Sequence, residues 1–236
     1  MLKFLRWLFS RFNLVLATKD EVDSLVTRRT EELQKAISSL EKSYDLNIEF
    51  LGKALDLNEG CTPGHTKRVT AYSIAIGRAM GLSRERIRVI ARGAFLQDIG
   101  KMSIPDDILR KRGLMDAGEA ALMREHCDRG YRMLMNIPFL VDAATIALAH
   151  HENFDGTGYP RGLKGEDIPL GARIVAIANA LDLITSEAPN RVGLSWSAAR
   201  EEIRRGSGTQ FDPVIVKVFL VMPESVWEDL RRQIKS

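Results

Sequence analysis

Between Lys19 and Leu57, apolar residues recur in steps of four and three. Leu33, Ile37, Leu40, Tyr44, Leu51 and Ala54 fall in one seam with Asn47, and neither proline nor glycine occurs before Gly52. This heptad spacing predicts a long helix, which either pairs in a parallel dimer or lies as a single amphipathic helix on the domain that follows. Ahead of it, Met1 to Leu16 place Leu2, Phe4, Leu5, Leu8, Phe9, Phe12, Val15 and Leu16 on one side of a helix. Lys3, Arg6, Ser10, Arg11 and Asn13 lie on the other side, with Trp7 the main exception. A basic face opposite an aromatic one suits a membrane interface and, equally, a partner helix. Charges interrupt every apolar run well short of the roughly 20 residues a span requires. No small-residue cleavage pattern follows the run either.

Beyond the break at Asn58-Glu59-Gly60, nearly every segment has helical period and flanking turn signals, while strand-like alternation is rare. The expected fold class is therefore all-α: a helical bundle behind an N-terminal amphipathic and coiled-coil helix. Val69 to Met80 and Arg84 to Leu96 are split by Gly81-Leu82-Ser83. Asp116-Ala117-Gly118-Glu119 has the form of a capping box opening the helix that carries His126. Leu140 to Ala149 is apolar enough to be buried. Ile168 to Thr185 continues that pattern and sets Asn179 and Asp182 on neighbouring turns of one face. Helices around Trp196 to Arg204, Pro213 to Leu220 and Ser225 to Ile234 close the domain. The organisation expected is an amphipathic basic helix over 1–18, a helical coiled-coil linker over 19–57 and one domain over 58–236.

Composition narrows the class. A chain of 236 residues that is 45% hydrophobic can bury a sizeable core. Its 34 basic and 31 acidic residues are intermixed, which argues against a nucleic-acid footprint. The two cysteines, Cys61 and Cys127, lie far apart without CxxC spacing, so neither a disulfide framework nor a thiolate zinc site is expected. A reducing cytoplasm, or the inner face of its membrane, is the compartment that fits.

The chemistry gathers in one stretch, His150-His151-Glu152-Asn153-Phe154-Asp155-Gly156-Thr157-Gly158-Tyr159-Pro160. Two adjacent imidazoles end an apolar helix, and Gly156, Gly158 and Pro160 break the chain into a loop, so the stretch reads as a metal site with a lid. A bare His-His pair is more often a solvated helix end. Here, however, the whole chain has only four histidines, His65, His126, His150 and His151. Between the first and the pair comes Leu96-Gln97-Asp98-Ile99-Gly100-Lys101, an acid and a lysine after an apolar helix.

Gly64-His65-Thr66-Lys67-Arg68-Val69, Gln97-Asp98-Ile99-Gly100-Lys101, Ile104-Pro105-Asp106, His126, His150-His151-Glu152, the run Asp155 to Gly165 and Gly208-Thr209-Gln210-Phe211-Asp212-Pro213 together resemble the HD-GYP domain, from about Tyr44 to about Val221. That resemblance implies a cyclic di-GMP phosphodiesterase type of metal-dependent phosphohydrolase, in which paired cations clamp a phosphodiester and activate water. It implies metal ligands at His65, Asp98, His126, His150 and His151, with iron or manganese suited to imidazole and carboxylate. Asp98 takes the place of the bridging aspartate and Lys101 that of the lysine beside the phosphate. Asp182 and Arg191 match ligand-contacting positions, and Tyr159 and Phe154 are candidates for stacking on a base or for anchoring the lid.

Two positions depart from the pattern. Gln97 stands where the family has histidine, and Asn179 where it has aspartate. Neutral carboxamides bind such cations weakly, and Asn179 removes a balancing charge. The first metal position is therefore expected to be weak, the second strong, and the two amides are able to hydrogen-bond each other. Around Arg191 the resemblance also weakens, with Asn190 and Val192 where an aromatic and a lysine are usual. Glu59 and Cys61 lie near His65 in sequence and are candidate replacement ligands. Arg161 and Lys164 are either phosphate or partner contacts or plain solvated loop charges.

The readings that follow are a degenerate signalling domain that binds a cyclic dinucleotide or a protein partner with little turnover, and an active phosphodiesterase that tolerates amide ligands. A structural dimer with an idle domain is a third. A homodimer through the N-terminal helix and a peripheral membrane contact accompany the first.

Overall fold

The computed structural model describes Lys3 and residues 19–59, 64–111, 113–187 and 192–234, with side chains at 45 and 47–59 outside the description. The amphipathic segment 1–16 (apart from Lys3), Cys61 and Arg191 therefore lie outside the described residues, as do the side chains of Glu59, Asn47, Leu51 and Ala54. The chain divides into two compact units, Met1–Leu46 and Asn47–Ser236.

The first unit contains most of one long helix, α1 (Lys19–Glu59). Its charged residues pair along the surface, as Arg28 and Arg29 do with Glu32. Its apolar stripe is exposed: Val22, Leu25, Val26, Leu33, Ile37 and Leu40 are each about half accessible or more. No helix among the described residues is long and apolar enough to cross a membrane.

The second unit is a helical bundle: α2 (His65–Ala79), α3 (Arg84–Leu96), α4 (Asp106–Leu109), α5 (Ala117–Arg124), α6 (His126–Met135), α7 (Val141–Ala149), α8 (Leu170–Thr185), α9 (Trp196–Arg205), α10 (Pro213–Val221) and α11 (Glu224–Gln233). Among the described residues there is no strand, only an isolated bridge between Ser207 and Phe211. Most elements follow the periodicity, and α5 opens with the expected capping box, but the helix it opens ends at Arg124 and His126 begins a separate helix, α6. Asp116 Oδ1 accepts from the Glu119 amide while Glu119 accepts from the Asp116 amide, satisfying two otherwise orphaned donors.

α8 is the central helix, because apolar residues cover most of its circumference. Ile174, Val175, Ile177, Ala178 and Leu181 are fully buried, and the larger ones each contribute about 1.5–3 kcal/mol by leaving water. They join Val69, Tyr72 and Ile76 of α2, Ile203 of α9, Phe219 of α10 and Trp227 of α11 in the main core. Tyr72 and Trp227 meet edge to face, with centroids 5.7 Å apart. A smaller cluster, Leu96, Leu134, Leu140, Ala143, Ala144 and Ala147, packs α3, α6 and α7 together.

Packing of that smaller cluster decides where the polar residues go. Asp98 lies just past the end of α3, His126 begins α6 and His150 caps α7, so these helix ends meet. The meeting depends on Gly100, in a 3-10 turn over Ile99–Ser103. A Cβ there would lie 2.0 Å from the His126 carbonyl oxygen and 2.5 Å from the Gly130 amide nitrogen. Only glycine lets the turn rest directly on α6.

Candidate metal centre

Asp98, His126, His150 and His151 bring one donor atom each to within 4.8 Å of one another. The ring orientations are set by the backbone. His126 Nδ1 lies 2.7 Å from the Met123 carbonyl oxygen and His150 Nδ1 lies 2.8 Å from that of Ala147. A carbonyl only accepts, so both Nδ1 atoms carry the hydrogen and both Nε2 lone pairs face inward. There the two Nε2 atoms stand 3.4 Å apart, and Asp98 Oδ1 lies 3.4 Å from one and 3.7 Å from the other. Asp98 Oδ1 is buried and makes no hydrogen bond, although Lys101 Nζ is 3.0 Å away. Three acceptors thus converge with no hydrogen between them, an arrangement that fits a cation.

The protonation states agree. Burial pushes His126 down to about 4 against the pull of Asp98, and burial with the neighbouring His150 pushes His151 down to about 2. Both rings are neutral ligands at neutral pH. Burial acts to raise Asp98, but Lys101, His150 and His126 outweigh it and hold the carboxyl well below its usual range. The ends of α3 and α7 add carbonyl dipoles of the sign that favours a cation.

The loop after His151 is fixed by a residue whose role its sequence position does not announce. Glu152 is buried, and its carboxylate accepts from the backbone amides of Arg161 (2.8 Å) and Leu163 (3.0 Å), drawing the loop across the site. Gly158 permits this fold-back, since a Cβ there would lie 2.2 Å from the Asn153 nitrogen. Further out, the amides of Phe154 and Asp155 donate to the carbonyls of Gln210 and Thr209, tying the loop to the Gly208–Phe211 turn. Tyr159 stacks on His151 at 4.7 Å and 21°, and the Arg124 guanidinium lies over the Tyr159 ring at 5.1 Å. Tyr159 thus has a ring neighbour in His151 and a cation in Arg124. Arg161 lies 6.0 Å over Tyr131, and Lys164 is exposed.

The remaining expected site residues are not in the four-donor set. His65 Nδ1 is 2.8 Å from Asp182 Oδ2. Asp182 is fully buried and enclosed: Arg68 Nε donates to Oδ1 at 2.6 Å, Arg68 Nη2 to Oδ2 at 3.1 Å, and Arg231 Nη2 and Ser186 Oγ each reach Oδ1 at 3.3 Å. Its carboxylate is spent inside the bundle and offers nothing to a ligand. Although Asn179 shares that face of α8 by period, it lines a cavity with His150 and His151. The anticipated hydrogen bond between Gln97 and Asn179 does not form, because Gln97 Oε1 and Asn179 Oδ1 are both buried without a partner. Cys127, a free thiol, sits 3.5 Å from His126 Nε2, and burial raises its pKa.

A family model described as HD domain matches residues 49–215. The chain belongs to the HD domain family, in its HD-GYP branch. A cyclic di-GMP phosphodiesterase of Thermotoga maritima is 38% identical over 188 residues, covering 79% of this chain and 51% of that protein. A 3'3'-cGAMP-specific phosphodiesterase of Vibrio cholerae is 33% identical over 192 residues, covering 80% of this chain and 37% of that protein. In fold, a V. cholerae cyclic GMP-AMP specific phosphodiesterase crystal structure superposes with a TM-score of 0.60 at 24% identity, over 79% of this chain and 49% of that one. The HD-GYP chain spans about half or less of the length of these relatives.

Proposed function

We propose that this HD-GYP protein is a cyclic-dinucleotide signalling protein that binds its ligand at one strong metal position and turns it over weakly or not at all. One observation carries the reading. Beside a set of acceptors converging on a point, the two positions that would complete a second metal are carboxamides whose buried oxygens have no partner. Relatives named for cyclic di-GMP and 3'3'-cGAMP support the ligand class.

A divalent iron or manganese ion held by Asp98, His126, His150 and His151 would supply Lewis acidity toward a phosphodiester and ease deprotonation of water. The chain's own residues supply the rest. Lys101 Nζ, beside Asp98, offers a point charge to a phosphate oxygen. The Met123 and Ala147 carbonyls keep the Nε2 lone pairs inward, and Glu152 holds the loop through the Arg161 and Leu163 amides. Neutral amides at Gln97 and Asn179 leave the far side of the phosphodiester without a strong second cation, which is where hydrolysis suffers. His65 donates through Nδ1 to Asp182, so its Nε2 carries the lone pair and is the remaining ligand candidate for a second metal.

The exposed stripe of α1 supports a homodimer, since a helix with six half-exposed aliphatic residues gains by burying them against a copy of itself. Dimer formation gives a route by which ligand binding reaches a protein partner, and a contact of residues 1–16 with the inner membrane face is part of the same reading.

The experiment is cyclic di-GMP hydrolysis with iron and then manganese under reducing conditions, alongside a Gln97→His/Asn179→Asp variant and with metal content measured for both. Turnover only in the variant supports the proposal. Turnover of the natural protein to linear pGpG or GMP at a rate equal to the variant's overturns it in favour of an active phosphodiesterase, a reading that the intact four-donor set and Lys101 favour.

A further inference from the structure

One face of α8 is left over from the core. Ala176, Asn179, Ala180, Leu183 and Ile184 form a stripe about 12 Å long along one wall of a cavity of about 390 Å³ that also reaches His150 and His151. Apart from Asn179 the stripe is apolar, with two alanines and a half-exposed Leu183. Such a wall accepts the flat face of a nucleobase. Glu202 of α9 lines the same cavity.

A carboxylate is the wrong group for a cavity that takes a dianionic ligand, unless it meets the part of the ligand that donates. Toward phosphate, Glu202 is repulsive. Toward a base it is selective, because guanine presents N1–H and an N2 amino hydrogen side by side, matching two carboxylate oxygens in a charge-assisted pair. Adenine places an acceptor nitrogen where that first donor would be, which leaves the carboxylate facing a lone pair. Glu202 is also free to take this role structurally. Its side chain is 46% exposed and bonds the neighbouring Arg205 at 2.9 Å, so no core contact holds it. Asn179 Oδ1, buried and unpartnered on the α8 wall, is a further acceptor in a site that receives donors.

We infer that Glu202 is the specificity-determining residue that selects a guanine base of the cyclic dinucleotide in the α8–α9 groove. This rests on the dinucleotide reading above and adds which base is read and by what. Equilibrium dialysis of the full chain, supplied with manganese, against cyclic di-GMP, 3'3'-cGAMP and cyclic di-AMP tests it, with recovered nucleotide checked for hydrolysis. The natural protein is expected to bind the two guanine-containing ligands roughly tenfold or more tightly than cyclic di-AMP, the discrimination one bidentate pair supplies. Glu202→Gln and Glu202→Ala are expected to remove most of that gap by weakening the guanine ligands, with cyclic di-AMP affinity equal to or above the natural protein's, since the carboxylate that faces its lone pair is gone, as proof that the groove is intact. Absence of a guanine preference, its retention in both variants, or an equal loss for all three ligands overturns the inference while the dinucleotide reading stands. If none of the three binds the natural protein, the dinucleotide reading itself falls and this inference with it.

Discussion

Two buried polar clusters in the bundle use the same residue types in opposite senses. At the Asp98 centre, backbone carbonyls take the Nδ1 hydrogens of His126 and His150, so lone pairs point at one another and at Asp98 Oδ1 across 3.4–3.7 Å. At the Asp182 cluster, donors from His65, Arg68, Arg231 and Ser186 close around one carboxylate. The first arrangement presents acceptors to a cation; the second is neutralised from within. A buried polar cluster is therefore read by the direction of its lone pairs rather than by its composition.

The largest expected effect breaks the first cluster. Asp98→Asn removes its only negative charge, and bound metal is expected to fall from about one per chain to near none, read by elemental analysis after purification in iron or manganese. Retention of the metal would show that the imidazoles alone define the site. Next in size is the second cluster. Asp182→Ala leaves Arg68 buried without its counter-charge, at an expected cost of roughly 3–5 kcal/mol in denaturant unfolding. A pH series sharpens the same point. Burial acts to raise Asp182, but His65 and Arg68 prevail and hold it at about 2. Its folded value lies below its ordinary value, near 3.9, so its stabilisation is complete above about pH 4 and is lost as the pH falls toward 2. Asp182→Asn should flatten that acid limb of the stability profile and leave the region above pH 5 parallel to the parent's.

The third test asks whether the two orphaned amides are what separates the clusters. Restoring imidazole and carboxylate in Gln97→His/Asn179→Asp should add a second bound metal and raise cyclic di-GMP hydrolysis by roughly a hundredfold, since a second cation clamping the phosphodiester supplies several kcal/mol. Each natural amide oxygen is buried without a partner, a state that costs about 1–3 kcal/mol. The double variant is therefore also expected to melt no lower than the parent when metal is present. A variant that gains metal without turnover would place the block elsewhere in the groove.

Much of this organisation is legible in the sequence. Helical period located α2, α3 and α7 to α11 to within a few residues, and Asp116 and Glu119 announced the start of α5, while the short α4 carried no signal and α5 and α6 read as one helix. The four donors lie in motifs readable in order. What period does not carry is the side a residue finally faces. Asn179 and Asp182 are three apart, hence about 60° apart around α8, and that angle sends one to the cavity and the other to the core. The Arg68–Asp182–Arg231 assembly joins α2, α8 and α11, and Gly100 matters only because α6 passes beneath it. Such contacts arise from tertiary packing, which local patterns do not encode. Glu152 was legible as part of a motif, while its bonds to the amides of Arg161 and Leu163 depend on how the loop closes.

The smallest effect concerns Tyr159. Tyr159 lies between His151 and Arg124, and a cation over an aromatic ring that is partly exposed contributes about 0.5–1 kcal/mol. Arg124→Gln should lower stability by no more than that. Metal content should stay at the parent level, because carbonyl bonds at Met123 and Ala147 orient His126 and His150 without help from the loop. His151 is the ligand with the most to lose, since its described neighbours are rings: His126, His150 and Tyr159. If the variant instead loses metal in parallel with Tyr159→Ala, the loop is part of the centre. The contrast between a centre aimed by the backbone and a cluster closed by side chains would then hold for His126 and His150 alone.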